Sequence, residues 1–314
     1  MKKLFILFLF PALLFAKSKD SLSVAYKHKF AKMLEECDAC GCSATGGSMG
    51  FASLLNTNFV GLRYIYQRYS STDGLYENSP WYTEQFNSIQ VWGRIPVFKN
   101  AQLSVLMPYH FNSRETGTGS HHISGAGDLT VIGLYRVFQT MTDSTFFVHT
   151  VQLGAGVKAP TGKYDEANNG SINPGFQLGT GSWDYLFLAE HIIRRKQFGF
   201  QSMLNYIVKS ANDKNYRFGN QFNYSGTLFW LHETEKFSVS PQLGLAGEVS
   251  ASNHQYGQSV PKTSGNIVFG KLGVEAGLKK WSAWAQFLLP VSQDLTGGRV
   301  DAKYRIGLNL NYSL

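Results

Sequence analysis

Three cysteines, the only ones in the 314-residue chain, stand together in Cys37-Asp38-Ala39-Cys40-Gly41-Cys42, with Met49 close behind. Thiolates and thioethers are soft ligands, so this grouping suits Cu(I) or Zn(II). A closed zinc site takes four ligands, and spacing alone does not say whether His28 or a loop histidine joins the three thiolates. In an oxidising compartment the same spacing forms a disulfide within the Cys37-to-Cys40 pair and leaves one cysteine over. Metal capture and a structural disulfide both stand on these residues, with redox chemistry as a third reading. A second metal reading attaches to His121-His122, but neighbours on an extended chain point to opposite sides, so an exposed loop pair is the ordinary one.

No catalytic constellation in the sequence is complete. His232-Glu233-Thr234-Glu235 lacks the second histidine of a zinc-protease helix, and Gly179-Thr180-Gly181-Ser182 lacks the spacing of a nucleophile elbow. Thr161-Gly162-Lys163 is no phosphate loop, because Val157 stands where its first glycine belongs and Tyr164 replaces the hydroxyl that would hold magnesium. The chain is therefore expected not to be an enzyme, and to need no cofactor beyond copper or zinc at the cysteines.

The elements that carry these residues follow a period close to two from about residue 57 onward. In Arg305 to Leu314 every even position from Ile306 is Ile, Leu, Leu, Tyr or Leu, and every odd one is Arg, Gly, Asn, Asn or Ser. Twelve such segments can be marked, at about 59–69, 86–97, 101–111, 127–138, 146–159, 183–193, 197–209, 217–231, 236–249, 268–279, 282–291 and 303–314. An even count agrees with a closed barrel, and fourteen would follow if a long loop hid a hairpin. Short connections such as Phe98 to Asn100 and Lys279-Lys280 read as periplasmic turns. The stretches 112–126, 161–181, 210–216 and 250–266 read as outer loops. Tyr64, Tyr66, Tyr69, Trp81, Tyr82, Trp92, Trp281 and Trp284 are expected in interfacial girdles. Within the strand-like segments, Asp128, Arg136, Asp184, Glu190 and Glu248 should face the lumen, since a basic side chain on the lipid face costs ~2–4 kcal/mol at the midplane. They would set selectivity or form a packed polar network.

Composition agrees with this pattern. Charged residues make up 16% of the chain, against ~25% in a typical soluble domain, while 32 glycines and 14% aromatics suit turns and lipid-facing strands. The formal charge of +8 is scattered, without the dense basic stripe that nucleic acid would require. At the start, Lys2-Lys3, an apolar run from Leu4 to Phe15 and Ala16 read as a signal peptide, the run being too short for the ~20 residues of a spanning helix.

The segment Gly154-Ala-Gly-Val-Lys-Ala-Pro-Thr-Gly-Lys-Tyr164, followed by Gly179-Thr-Gly-Ser-Trp-Asp-Tyr185, resembles the outer-membrane family named after the meta-pathway of phenol degradation, itself loosely related to fatty-acid and aromatic-hydrocarbon importers. The resemblance spans about Gly61 to Leu314. It implies a closed barrel with a transporter-like role for hydrophobic or aromatic compounds, and it supplies no catalytic residues. Importers of this kind carry an N-terminal plug where this chain has its cysteines and the Gly-rich run 43–50.

The expectation is an all-β protein, a transmembrane antiparallel up-and-down β-barrel of twelve strands, or fourteen, in the bacterial outer membrane. Residues 1–16 would be the signal peptide, 17–56 a Cys/Gly-rich leader or plug, and 57–314 the barrel. Its partners would be outer-membrane lipid, the barrel assembly machinery and a small solute, either hydrophobic or a metal complex. The competing expectation is a copper- or zinc-binding surface or scaffold protein without a continuous pore.

Overall fold

The computed structural model describes residues 53–55, 58–72, 79–140, 147–165, 167–173, 175–234 and 237–314. The strands in chain order are β1 (Phe59–Thr72), β2 (Trp81–Phe98), β3 (Ala101–Thr116), β4 (Gly119–Ala126), β5 (Leu129–Gln139) and β6 (Val148–Ala159). There follow β7 (Asp184–Arg195), β8 (Phe198–Lys209), β9 (Tyr216–Arg217), β10 (Gln221–Trp230), β11 (His232–Glu233) and β12 (Phe237–Ser250). The chain ends with β13 (His254–Gln255), β14 (Gln258–Ser259), β15 (Gly265–Leu278), β16 (Trp281–Leu295) and β17 (Val300–Ser313).

Twelve of these close a barrel: β1, β2, β3, β5, β6, β7, β8, β10, β12, β15, β16 and β17, every pair antiparallel. The first barrel strand meets the last along a ladder from Phe59↔Ser313 to Ser71↔Val300. Closure matters because hydrocarbon offers no water to an unpaired backbone group, so a sheet that spans a membrane cannot keep an edge. The expected hairpin inside a loop does exist, but it does not enlarge the barrel. β3 runs on to Thr116 and pairs with β4 as far as Thr116↔Gly119, so residues read as an outer loop form a hairpin that extends past the barrel rim. Polar strands beyond the membrane lack the apolar face that makes barrel strands visible. The short β9, β13 and β14 form a small separate sheet among the long connections.

The burial pattern is the reverse of a soluble protein's. On β17, Leu308 and Leu310 are exposed while Arg305, Asn309 and Asn311 are buried. On β3, Leu103, Met107, Tyr109 and Phe111 are exposed while Ser104, His110, Asn112 and Arg114 are buried. The apolar set faces outward and the polar set lines the interior, as alternation in a lipid-embedded barrel requires. Four aromatics depart from the girdle expectation. Tyr69 and Trp92 are buried, Trp284 is half-buried against an interior cluster, and Tyr82 is half-buried beneath the inward Arg114. Each lies on the inward parity of its strand, and parity, unlike aromatic content, is set by the ladder.

One stretch of wall is incomplete. The β16–β17 ladder pairs Trp281↔Tyr312 to Leu288↔Arg305 and resumes only at Leu295↔Val300. Within the gap lies Pro290, which has no N–H to give, and the Gln293 side chain substitutes for backbone, donating to the Ala302 carbonyl (3.2 Å) and accepting from the Ala302 N–H (2.8 Å).

The outward assignment is tested at mid-strand. Leu308→Arg should lower unfolding stability in a bilayer by ~2–4 kcal/mol relative to the native chain, by denaturant titration, with Leu308→Ala costing clearly less. Equal losses for the two variants would place Leu308 away from lipid.

Candidate functional site

The connection between β6 and β7, residues 160–183, folds inward across one mouth of the barrel. Its Ile172 and Phe176 are buried in an apolar cluster with Ile65, Tyr69, Phe86, Phe269, Leu288 and Val300, all contributed by barrel strands. Phe86 meets Tyr69 edge-on at 5.3 Å between ring centroids and Phe176 at 6.0 Å. A loop in water keeps such side chains buried only where its backbone polar groups find partners. Here two carboxylates supply them.

Asp128, at the root of β5, holds the two stems of the loop together. Its Oδ1 accepts the Gly162 N–H at 3.0 Å, and its Oδ2 accepts both the backbone N–H and the hydroxyl of Thr180 at 2.9 Å. The stems cross so closely that a β-carbon at Gly179 would lie 2.6 Å from the Gly162 carbonyl oxygen, so both glycines are there for space. Lys158 lies 2.6 Å from Asp184 and 3.4 Å from Asp128, and donates to the Thr180 hydroxyl at 3.1 Å. Glu84 then fixes the inward tip. Its carboxylate accepts from Ser71 (2.9 Å), Ser171 and Asn173 (2.8 Å), and pairs with Arg114 at 3.3 Å. Arg114 also donates to the Gly170 carbonyl. Four side chains from the wall and the tip thus converge on one buried carboxylate.

Deeper in the lumen Arg305 is held by Glu248 (2.6 and 3.1 Å) and by the Tyr69 hydroxyl (2.6 Å), with its guanidinium carbon 4.3 Å from the Phe269 ring centroid. Arg94 approaches Glu190 at 3.9 Å. Arg63 stacks 3.8 Å over Trp92 and donates to Asn309 at 3.2 Å. Removing one member of such a pair would strand a buried charge at a cost of ~3–5 kcal/mol. Between these charges the wall turns apolar: Trp92, Leu106, Ile132, Leu134, Leu186, Leu188, Met203 and Ile207 form a second buried cluster with Phe59. Near the short-turn end Ser53 and the Leu54 N–H (3.0 Å) both donate to Glu275, a buried carboxylate on the inward parity of β15.

The residues singled out by sequence are distributed as follows. Cys37, Cys40, Cys42 and Met49 lie outside the described residues. His121 and His122 are exposed on β4, and the His121 ring is 5.8 Å from that of Phe176. Asp128, Asp184, Glu190 and Glu248 are buried in the ion pairs above. Arg136 lies on the inward parity of β5, half-buried, and reaches the β2–β3 turn, donating to Asn100 Oδ1 at 2.9 Å. The sequence reading passed over Lys158, which lies inside the quoted motif, and Glu84, which precedes the stretch marked as a strand. It also missed that His149 has a partner: His149 Nδ1 lies 3.1 Å from His191 Nε2 on the next strand, with the rings 9° from parallel. Only cross-strand register brings that pair together.

The fold is similar to that of a solved outer membrane channel. An outer membrane channel from Pseudomonas putida F1 aligns over 83% of this chain and 97% of its own, with a TM-score of 0.58 and 15% identity. The transport unit of the autotransporter AIDA-I from Escherichia coli aligns over 87% and 98%, with a TM-score of 0.46 and 13% identity. No curated protein matches the sequence. The family model described as "Putative MetA-pathway of phenol degradation" matches residues 82–289, which include both loop stems and the carboxylates that clamp them. With two thirds of its length under that model and a lipid-facing twelve-strand barrel around it, the chain belongs to the phenol-degradation MetA-pathway family of outer-membrane β-barrels.

Proposed function

We propose that the barrel is a channel for small hydrophobic solutes, gated by residues 160–183. The observation that carries this reading is an interior with two apolar clusters, one at the mouth and one in the wall, in a barrel whose lining would otherwise be polar. The channel class is also that of the Pseudomonas putida protein that shares the fold. A hydrophobic solute would leave water at the mouth cluster, where Phe176 and Ile172 give way. The same cluster contains Leu288, Leu295, Val300 and Ala302, which flank the lapse in the β16–β17 ladder. That lapse offers a sideways route between lumen and bilayer, sealed at rest by the Gln293 side chain.

Removing the latch at the tip tests the gate. Ser171→Ala with Asn173→Ala leaves Glu84 and Arg114 paired but takes away both of the loop's hydrogen bonds to Glu84, together with those from the Asn173 N–H to Ser171 Oγ and from the Gly175 N–H to Asn173 Oδ1. Hydrogen bonds to charged groups are worth ~1.5–3 kcal/mol each, so solute entry, or conductance of the reconstituted protein, should rise at least severalfold. Unchanged conductance and uptake in a well-folded variant would mean that the loop is a fixed part of the wall. A folded native protein that passes no small solute under any condition would end the channel reading.

The Cys37-Cys40-Cys42 segment, with Met49, is proposed as part of an N-terminal plug that responds to soft metal. The support is the thiol spacing and the anchoring of Ser53 and Leu54 on Glu275 just downstream. The alternative is a copper or zinc site on a barrel without a continuous pore. Purified native protein should carry more copper or zinc than a Cys37/Cys40/Cys42→Ser triple variant, by elemental analysis. Equal metal in both would end both metal readings and leave a disulfide, which a thiol count would reveal.

A further inference from the structure

The apolar wall of the lumen reaches β8, where Met203 and Ile207 flank Asn205, and what replaces it on β10 is uncharged and unsatisfied. On β7 the inward residues Leu186 and Leu188 belong to the wall cluster. Leu188 pairs directly with Asn205 of β8, Asn205 with Asn223 of β10, and Asn223 with Glu248 of β12. One strand spacing, ~4.8 Å, therefore separates leucine from amide. Asn205, Asn223, Gln221 and Thr227 are each exposed by 1% or less. Among the described residues no hydrogen-bond partner meets either amide atom of Asn205, the Asn223 Nδ2, the Gln221 Oε1 or the Thr227 hydroxyl. The internal bond of the group is Gln221 Nε2 to Asn223 Oδ1 at 2.6 Å. A buried polar group with no partner costs ~1–3 kcal/mol, so a row of them is expensive unless something else uses their hydrogen-bonding capacity.

We propose that Asn205 and Asn223, with Gln221 and Thr227, form a specificity-determining site for solutes that have an apolar body and one uncharged hydrogen-bonding group. The inference rests on the channel reading and names its solute class. An aromatic ring laid on Leu186 and Leu188 puts a hydroxyl on its rim within reach of the Asn205 and Asn223 amides, which can donate to it and accept from it. Charge is discriminated against by what lies alongside. The Glu248 carboxylate is directly across from Asn223, and its cation, Arg305, is already engaged by both carboxylate oxygens and Tyr69. A solute carboxylate at Asn223 would meet like charge, the buried Lys271 lying across Gly244 from Thr227, four residues further along β10. A solute with no polar group would leave the amides unsatisfied, which is how a site built for a hydroxyl rejects its hydrocarbon analogue.

The test uses three solutes of one size, labelled toluene, p-cresol and p-toluate, and measures uptake by cells making the full chain minus uptake by cells with empty vector. The native chain should prefer p-cresol to toluene and admit p-toluate least. Asn205→Leu and Asn223→Leu should each reduce the p-cresol to toluene ratio by about three- to tenfold, the worth of one hydrogen bond. If a leucine variant does not reach the membrane as a heat-modifiable barrel, Asn205→Thr, which keeps one hydroxyl, should give an intermediate ratio. An unchanged ratio in a folded variant, or p-toluate entering as fast as p-cresol, overturns the proposal and leaves the channel reading standing. Native uptake of none of the three defeats the channel reading itself, and this proposal with it.

Discussion

A strand inside a bilayer must hydrogen-bond along both edges, because no water is present to take an unpaired N–H or C=O. Every other feature of this barrel depends on that constraint. Closure of β1 onto β17 fixes the register, and register fixes which side of each strand meets lipid. Once Leu308 and Leu310 face hydrocarbon, Arg305 and Asn309 must face the lumen, whatever their own preference for water. The interior therefore receives more charge than a protein of this size would choose to bury. The charges settle by pairing with one another, Arg305 with Glu248, Lys158 with Asp184 and Asp128, and Arg114 with Glu84.

Those pairs also account for the mouth. A loop that enters a barrel needs acceptors for its backbone and a place for its apolar side chains, and the wall supplies both within a few residues. Asp128 holds the two stems of residues 160–183 and Glu84 the tip, while Phe86, itself edge-on to Tyr69, receives Phe176. The two functions use different physics. Hydrogen bonds to carboxylates are directional and fix where the loop lies, whereas the apolar contact is indifferent to detail and would exchange one hydrophobic group for another. A gate that gives way to a hydrophobic solute would be built in this way.

The lapse between β16 and β17 is the longest interruption within a ladder among the described barrel strands, and it is repaired locally. Pro290 has no N–H to contribute, and a side-chain amide takes over the hydrogen bonds of Ala302. The repair satisfies the backbone without restoring the stiffness of a ladder. Its position beside the mouth cluster gives it a meaning for transport that a break beside polar residues would lack.

Alternation is a local property, written two residues at a time, and so the residues alone determined that this is an all-β barrel, roughly where its strands run, and that Leu308 and Arg305 point opposite ways. The motif Gly154 to Tyr164 with Gly179 to Tyr185 was legible as a family resemblance, though not as two stems held by one carboxylate, because Asp128 and Thr180 are far apart in the chain. Trp92 was read as a girdle residue since aromatic content says nothing about parity near a strand end. His149 gained a partner only through register, as did the passage from Leu188 to Asn205 to Asn223. Which inward residues touch, which charges cancel and which amides are left over are all set by closure of the sheet. Tertiary structure alone decided them, because a cross-strand neighbour is defined by register between segments and not by any spacing within one.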